Sequence, residues 1–209
     1  MALGYTRRMA RRRIGLFGGT FDPPHVGHLV LAGEAAHQLQ LQQILWTPAP
    51  SPPHKDVNGI TRISDRMAML QLATAGDSAF EICSLELERP GPHFTVDTLR
   101  ILREIHSEDD IVLLIGEDSL EELPTWHAPV ELIALCAAIG VMRRQGSQAD
   151  LTQLDARIPG LAAKVKYMTA PLMEIASSDI RRRVEQGLPY RYHVTPLVYE
   201  YIENHGLYR

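Results

Sequence analysis

The chain has 209 residues, 45% of them hydrophobic, with two cysteines and a formal charge of −4 at pH 7. That length suits one α/β domain with a full core, and no run approaches the roughly 20 apolar residues of a membrane span. Arg7, Arg8, Arg11, Arg12 and Arg13 crowd the acid-free start, so the 21 basic residues leave 16 for the body against 25 acidic ones, an acidic balance that argues against a nucleic-acid partner.

The basic start lacks the apolar segment of a secretory signal. It reads as a disordered tail over residues 1–13, ahead of a single domain over 14–209. Apolar runs then alternate with helical patterns, which predicts a mostly parallel sheet with crossover helices. Residues 14–18 are the first predicted strand. Gly18, Gly19 and a Pro23-Pro24 turn follow, leading into a helix over 27–41 with Leu31, Ala35 and Leu39 on one face. A strand that delivers glycine backbone to a helix N-terminus is a ready anion site: its N–H groups point outward, and the helix dipole adds about half a positive charge. His25 and His28 share one side of that helix entry and point to phosphate chemistry. Taken singly, each of these residues reads more readily as turn chemistry or a structural side chain; the ordered string is what points to function. His37, further along, reads as a surface imidazole.

Residues 44–48 are the second predicted strand, with Trp46 in the core. Pro48, Pro50, Pro52, Pro53 and Gly59 make 48–59 a loop. Lys55 in that loop reads either as a surface lysine or as one that reaches a phosphate. Ser64-Asp65 is the predicted N-cap of a helix through 75, with Met67, Leu70 and Ala73 inward. Mixed alternation predicts a strand over 80–88, and Thr95 a cap for a helix to 106. Cys83 and Cys136 each lie in an apolar run; two thiols so placed make neither a zinc quartet nor a disulfide framework, and they read as core residues of a cytoplasmic protein. Residues 111–115 are the most buried-looking strand.

Gly116 and Asp118 follow that strand, where open α/β sheets bind ligands beyond the strand ends. Asp118 suits a ribose diol, and equally caps a short helix over 119–122. Trp126 follows Pro124-Thr125 in a polar stretch, and its indole face can stack on a cationic ring. Further predicted elements are a helix over 130–135, a strand over 137–142, a helix over 148–157 and a strand over 165–168. A helix over 178–186 takes Ser178 as N-cap; its start is a second anion site, to which the fixed donor fork of Arg181 is suited. Arg182 and Arg183 read as solvated. The last helix, 196–205, has Thr195 as N-cap, Pro196 in its first turn and Gly206 as its stop. No P-loop and no Gly-x-Ser-x-Gly element occurs. The first loop also departs from Gly-x-Gly-x-x-Gly, which disfavours a redox or non-catalytic dinucleotide-binding protein.

The string Gly18-Gly19-Thr20-Phe21-Asp22-Pro23-Pro24-His25-Val26-Gly27-His28 resembles the nucleotidyltransferase superfamily, and in this form its bacterial nicotinate-nucleotide adenylyltransferases. Pro52-Pro53-His54-Lys55, Phe94 to Leu99, Ile115 to Leu120, Pro124-Thr125-Trp126, Arg143-Arg144, Ile175 to Arg181 and Gly206-Leu207-Tyr208-Arg209 fall in that family's order. The resemblance covers nearly everything after residue 13. It implies a Rossmann-like fold with helices on both faces of a mostly parallel sheet. It also implies transfer of AMP from ATP to nicotinate mononucleotide, with Mg2+ accompanying ATP.

By the same resemblance His25, His28 and Arg181 are catalytic, and Gly18, Gly19, Thr20, Phe21, Ser177 and Ser178 join them at ATP. Lys55, Thr95, Gly116, Asp118, Trp126, His127 and Arg143 hold the acceptor, and no residue is assigned to a metal. Neither nucleic acid nor membrane is an expected partner, and a homo-oligomer is left open. The chain departs from the family at Ala176, where a serine is usual, at His93-Phe94, where Ser-Tyr is usual, and at Gln145, where Pro is common. Phosphopantetheine adenylyltransferases and cytidylyltransferases share His-x-Gly-His but lack the Trp126 segment and the Gly-Leu-Tyr-Arg ending. Use of nicotinamide mononucleotide stays open.

Overall fold

The computed structural model describes residues 11–50, 60–143, 149–171 and 173–209. Its strands are β1 (Arg13–Gly19), β2 (Gln43–Pro48), β3 (Phe80–Ile82), β4 (Asp110–Gly116), β5 (Ala138–Met142) and β6 (Val165–Met168). The helices are α1 (Val26–Gln38), α2 (Ile63–Thr74), α3 (Thr95–Ile105), α4 (Glu117–Glu122), α5 (Pro129–Leu135), α6 (Leu151–Arg157), α7 (Leu161–Lys164), α8 (Ser177–Glu185) and α9 (Pro196–His205). The strands form one parallel sheet in the order β3-β2-β1-β4-β5-β6. Among the described residues no helix is long and apolar enough to cross a membrane.

Successive strand residues face opposite sides, so the central strands feed two cores. Leu16, Leu45, Leu113 and Ile139 pack with Val96 and Leu99 of α3 and Leu132 of α5. Their neighbours Phe17, Trp46 and Leu114 pack with Ala32 and Ala35 of α1 on the other face. Met69 of α2, Ile180 of α8, and Val198 and Ile202 of α9 make a third cluster. The chain winds outward through β2 and β3 on one side of β1, and through β4, β5 and β6 on the other. The order reverses between β1 and β4, and the crevice beyond their carboxyl ends is where such sheets bind ligands.

Several local expectations are corrected. Residue 40 is left-handed (φ 54), which stops α1 at Gln38. The strand expected over 80–88 ends at Ile82; beyond it the Ser84 carbonyl takes the amides of Leu87 and Glu88 in a local turn. Helix α2 starts at Ile63 without a side-chain cap, and its buried face is Arg66, Met69, Leu70 and Thr74 rather than Met67, Leu70 and Ala73. Phe94, not Thr95, stands at the N-cap of α3, and Ala176, not Ser178, at that of α8. Helix α4 begins at Glu117, which puts Asp118 in its first turn rather than at its cap. Helix α6 begins at Leu151 behind an Asp150 cap, and α7 was not expected. The cap of α9 is as read: the Thr195 side chain accepts the amide of Val198, and Gly206 is left-handed.

Candidate active site

Between β1 and α1 the chain turns through residues 20–25, and buried charge fixes the turn. Phe21 is left-handed (φ 48) and its ring is buried against Phe17 and Trp46 at centroid distances of 5.6 and 5.4 Å. A methyl on Gly19 would lie 2.8 Å from that ring, so only glycine fits. Arg66 is 1% exposed. Its Nη1 donates to the carbonyls of Thr20 and Ala49 at 2.8 Å, its Nη2 to Pro50 and its Nε to Thr61, both at 3.0 Å. Burial lowers this guanidinium from its usual value, and Asp22 opposes that. Asp22, also 1% exposed, accepts the Tyr208 hydroxyl on Oδ1 at 2.8 Å and the Thr61 amide on Oδ2 at 3.2 Å. Its backbone carbonyl accepts Arg181 Nη1 at 2.7 Å.

The two histidines follow directly. The His25 amide donates to His28 Nδ1 at 3.1 Å, and the rings stack at 3.6 Å and 22°. Gly27 permits this: a methyl there would be 3.0 Å from His25 Nδ1. Burial, with a contribution from His193, pushes His25 down to about 4. Burial, then His25, pushes His28 well below its usual value. Both rings are therefore neutral at pH 7. Because His28 Nδ1 accepts, its proton sits on Nε2, which makes Nε2 a fixed donor. His25 Nδ1 is buried with no partner among the described residues. Both rings line a cavity of about 210 Å³ with Met142, Arg143, Pro171 and Ile175.

A second cavity, about 390 Å³, has Gly18, Gly19 and Thr20 on one side and Phe94, Thr95, Trp126 and His127 on the other. Trp126 is half-buried, packed against the α3/α5 core. His127 stacks on Phe94 at 4.2 Å. His93, singled out in the sequence only as a departure, also lines this cavity. A third, about 500 Å³, is lined by Ser178, Arg181, Arg182, Tyr208 and Arg209 among others. The Ser177 hydroxyl donates to the Pro23 carbonyl at 2.9 Å, which fastens the start of α8 to the loop.

The structure thus brings most expected residues to one edge of the sheet, with four differences. Arg143 opens on the histidine cavity, its guanidinium 4.3 Å over the Tyr167 ring, and not on the cavity of Thr95, Trp126 and His127. Gly116 and Asp118 are exposed and line none of the three cavities. The Phe21 side chain is core, which leaves only its backbone for a ligand. Lys55, with Arg144 and Gln145, lies outside the described residues. The sequence reading missed Arg66 and Asp22. Arg66 was discoverable, since it precedes Met69 and Leu70 by three and four residues on one helical face.

A family model described as Cytidylyltransferase-like matches residues 16–183. A "probable nicotinate-nucleotide adenylyltransferase" of Thermomicrobium roseum is 50% identical over 197 residues, 94% of this chain and 92% of that protein. Its namesake in Geobacillus thermodenitrificans is 44% identical over 200 residues, 94% and 86% of the two chains. Among solved structures, Plasmodium falciparum nicotinic acid mononucleotide adenylyltransferase complexed with NaAD superposes with a TM-score of 0.76. That match covers 95% of this chain and 98% of the other at 20% identity, and so establishes the shared fold. By this descent and this sheet, the chain belongs to the nicotinate-nucleotide adenylyltransferase family of cytidylyltransferase-like nucleotidyltransferases.

Proposed function

We propose that the chain transfers the AMP moiety of ATP to nicotinate mononucleotide, giving nicotinate adenine dinucleotide and pyrophosphate in NAD biosynthesis. The observation that carries this reading is the strand–loop–helix from Gly18 to His28. It presents neutral imidazoles to one cavity and the Gly18-Gly19-Thr20 backbone to another, whose far side is aromatic. The names of the relatives support the same assignment.

An oxygen of the mononucleotide phosphate attacks the ATP α-phosphorus. The bond from that phosphorus to the oxygen bridging toward the β-phosphate breaks, and pyrophosphate leaves. The nucleophile is already ionised, so no general base is needed. The protein's part is alignment and stabilisation of developing charge. His28 Nε2–H and the backbone amides of Gly18 to Thr20 donate to phosphate oxygens. His25 stands beside them, held by its stack on His28. Arg181 and Ser178, at the start of α8, take the β- and γ-phosphates, and Arg143 adds charge at the histidine cavity. Trp126 stacks on the pyridinium ring, whose positive charge favours the contact, while amides near Thr95 and His127 face its carboxylate.

Mg2+ travels with ATP and neutralises its phosphates. When bound with ATP the ion would be held mainly by phosphate oxygens and water. Two buried thiols, Cys83 and Cys136, suit a reducing cytoplasm. Pyrophosphate release with ATP, Mg2+ and alternative acceptors tests the reading. One pyrophosphate per nicotinate adenine dinucleotide is expected. Turnover only with phosphopantetheine, or only with CTP as donor, contradicts it.

A further inference from the structure

The ending Gly206-Leu207-Tyr208-Arg209 has no part in the reaction above, yet its tyrosine reaches the loop between β1 and α1. Gly206 and Tyr208 are both left-handed (φ 59 and 66), and this turns the tyrosine back over Asp22. The left-handed region is unfavourable for a non-glycine residue, so the contact is held against a bias. Both oxygens of the buried carboxylate are taken: Tyr208 donates to one at 2.8 Å and the Thr61 amide to the other at 3.2 Å. Arg181 Nη1 stands 4.0 Å from that second oxygen and donates instead to the Asp22 carbonyl at 2.7 Å. The guanidinium is thus paired with the carboxylate only at the outer limit of an ion pair, its hydrogen bond spent on the backbone carbonyl. Closing on the carboxylate would draw it out of the cavity that it lines with Ser178.

We propose that Tyr208 is a positioning residue: by occupying the Asp22 carboxylate it keeps Arg181 available to the phosphates of ATP. The inference rests on the role given to Arg181 above. Burial, then the Asp22 carboxylate, pushes the Tyr208 phenol above its usual value, so it remains a donor at any working pH. Loss of the hydroxyl leaves Oδ1 unpaired; Arg66 also senses this carboxylate but spends its donors on four carbonyls, whereas Arg181 already stands 4.0 Å from Oδ2 and can close on it.

Tyr208→Phe removes the hydroxyl and keeps the ring. Calorimetric titration of Mg-ATP into the full-length wild type, Tyr208→Phe, Arg181→Ala and the double variant reads the coupling, alongside pyrophosphate release with nicotinate mononucleotide. ATP affinity is expected to fall about 10-fold in Tyr208→Phe, the scale of one charge-assisted hydrogen bond. The KM for the mononucleotide should stay within about twofold. In the Arg181→Ala background the same change should add nothing further. Asp22→Asn placed on Tyr208→Phe removes the charge that captures Arg181 and should restore ATP binding. Wild-type ATP affinity in Tyr208→Phe, or an equal further loss in the Arg181→Ala background, overturns the proposal. A uniform loss of ATP and mononucleotide affinity together with a lower melting temperature also overturns it, since that is a purely structural role. If the wild type binds ATP but does not adenylylate the mononucleotide, the assigned reaction fails while the titration still decides the role of Tyr208.

Discussion

His28 Nδ1 accepts the backbone N–H of His25 at 3.1 Å, and this one bond determines which nitrogen of His28 is left to act. With Nδ1 an acceptor and the ring neutral, Nε2 carries the proton and is aimed by the helix. A donor fixed in this way stabilises charge that grows on a phosphate without reorganising. His28→Ala should lower kcat by ~10²–10³, with little change in either KM, because such a donor strengthens in the transition state. His28→Asn, which can keep an acceptor for the His25 amide, should retain more stability than His28→Ala while remaining slow. Near-wild-type turnover in folded His28→Ala would contradict the assignment.

The same burial makes stability depend on pH. His25 titrates near 4 in the folded chain against 6.5 unfolded, so between those values the unfolded chain binds more protons. Stability is therefore full above about pH 6.5 and is lost as pH falls toward 4, by about 1.4 kcal/mol per pH unit for this residue once within the window. Melting curves from pH 7.5 to 4.5 should show at least that slope, since buried His28 is lowered as well, and His25→Asn should reduce it. An unchanged slope in the variant would mean that other groups govern acid unfolding.

The adjacent glycines should separate cleanly. Gly19→Ala drives a methyl into the Phe21 ring at 2.8 Å and should cost about 1–3 kcal/mol of stability through overpacking. At Gly18 the nearest atom to an added methyl is the Thr47 carbonyl at 4.0 Å. Gly18→Ala should therefore fold with a wild-type melting temperature and still lose turnover, if, as proposed, a phosphate approaches the backbone there. Full activity in Gly18→Ala would remove that strand end from the site.

Arg66 should behave as a structural cation. Arg66→Met leaves the carbonyls of Thr20, Ala49, Pro50 and Thr61 without their shared donor. Each unpaired buried group costs about 1–3 kcal/mol. Denaturant unfolding should show a loss of at least about 3 kcal/mol, accompanied by loss of activity as the loop slackens. A stability change below about 1 kcal/mol would show that the loop is held by other contacts.

How legible all this was depends on the kind of force involved. The central strand 111–115 and the capped helix after Thr195 could be read directly, because burial on both faces and a Thr-Pro start leave local signatures. The strand expected over 80–88 failed because alternation is indifferent to pairing. Once the Cys83 amide has met the Trp46 carbonyl, Ser84 and Glu88 satisfy their backbone locally instead. Ser178 was read as a cap on residue type alone, whereas Ala176 takes that position and Ser177 spends its hydroxyl on Pro23. The residues that fix the loop between β1 and α1 through long-range contacts, Asp22, Arg66 and Tyr208, are the least readable. Their partners lie as far as 186 positions away in sequence. Arg143 is assigned to the acceptor by resemblance alone, and the end of β5 delivers it to the histidine cavity.

The account stands most directly on which mononucleotide the second cavity accepts. In the proposed reading Trp126 would stack equally on nicotinate and nicotinamide rings, so discrimination must come from donors around the carboxyl group. A carboxamide turns its NH2 toward some of those donors and leaves them buried and unpaired, at about 1–3 kcal/mol each. Two such losses amount to a preference of at least ~10²-fold. Measured as kcat/KM for the two mononucleotides at equal ATP and Mg2+, the acid is predicted to exceed the amide by that factor. Comparable values would contradict the account, because the cavity would then read only ring and phosphate.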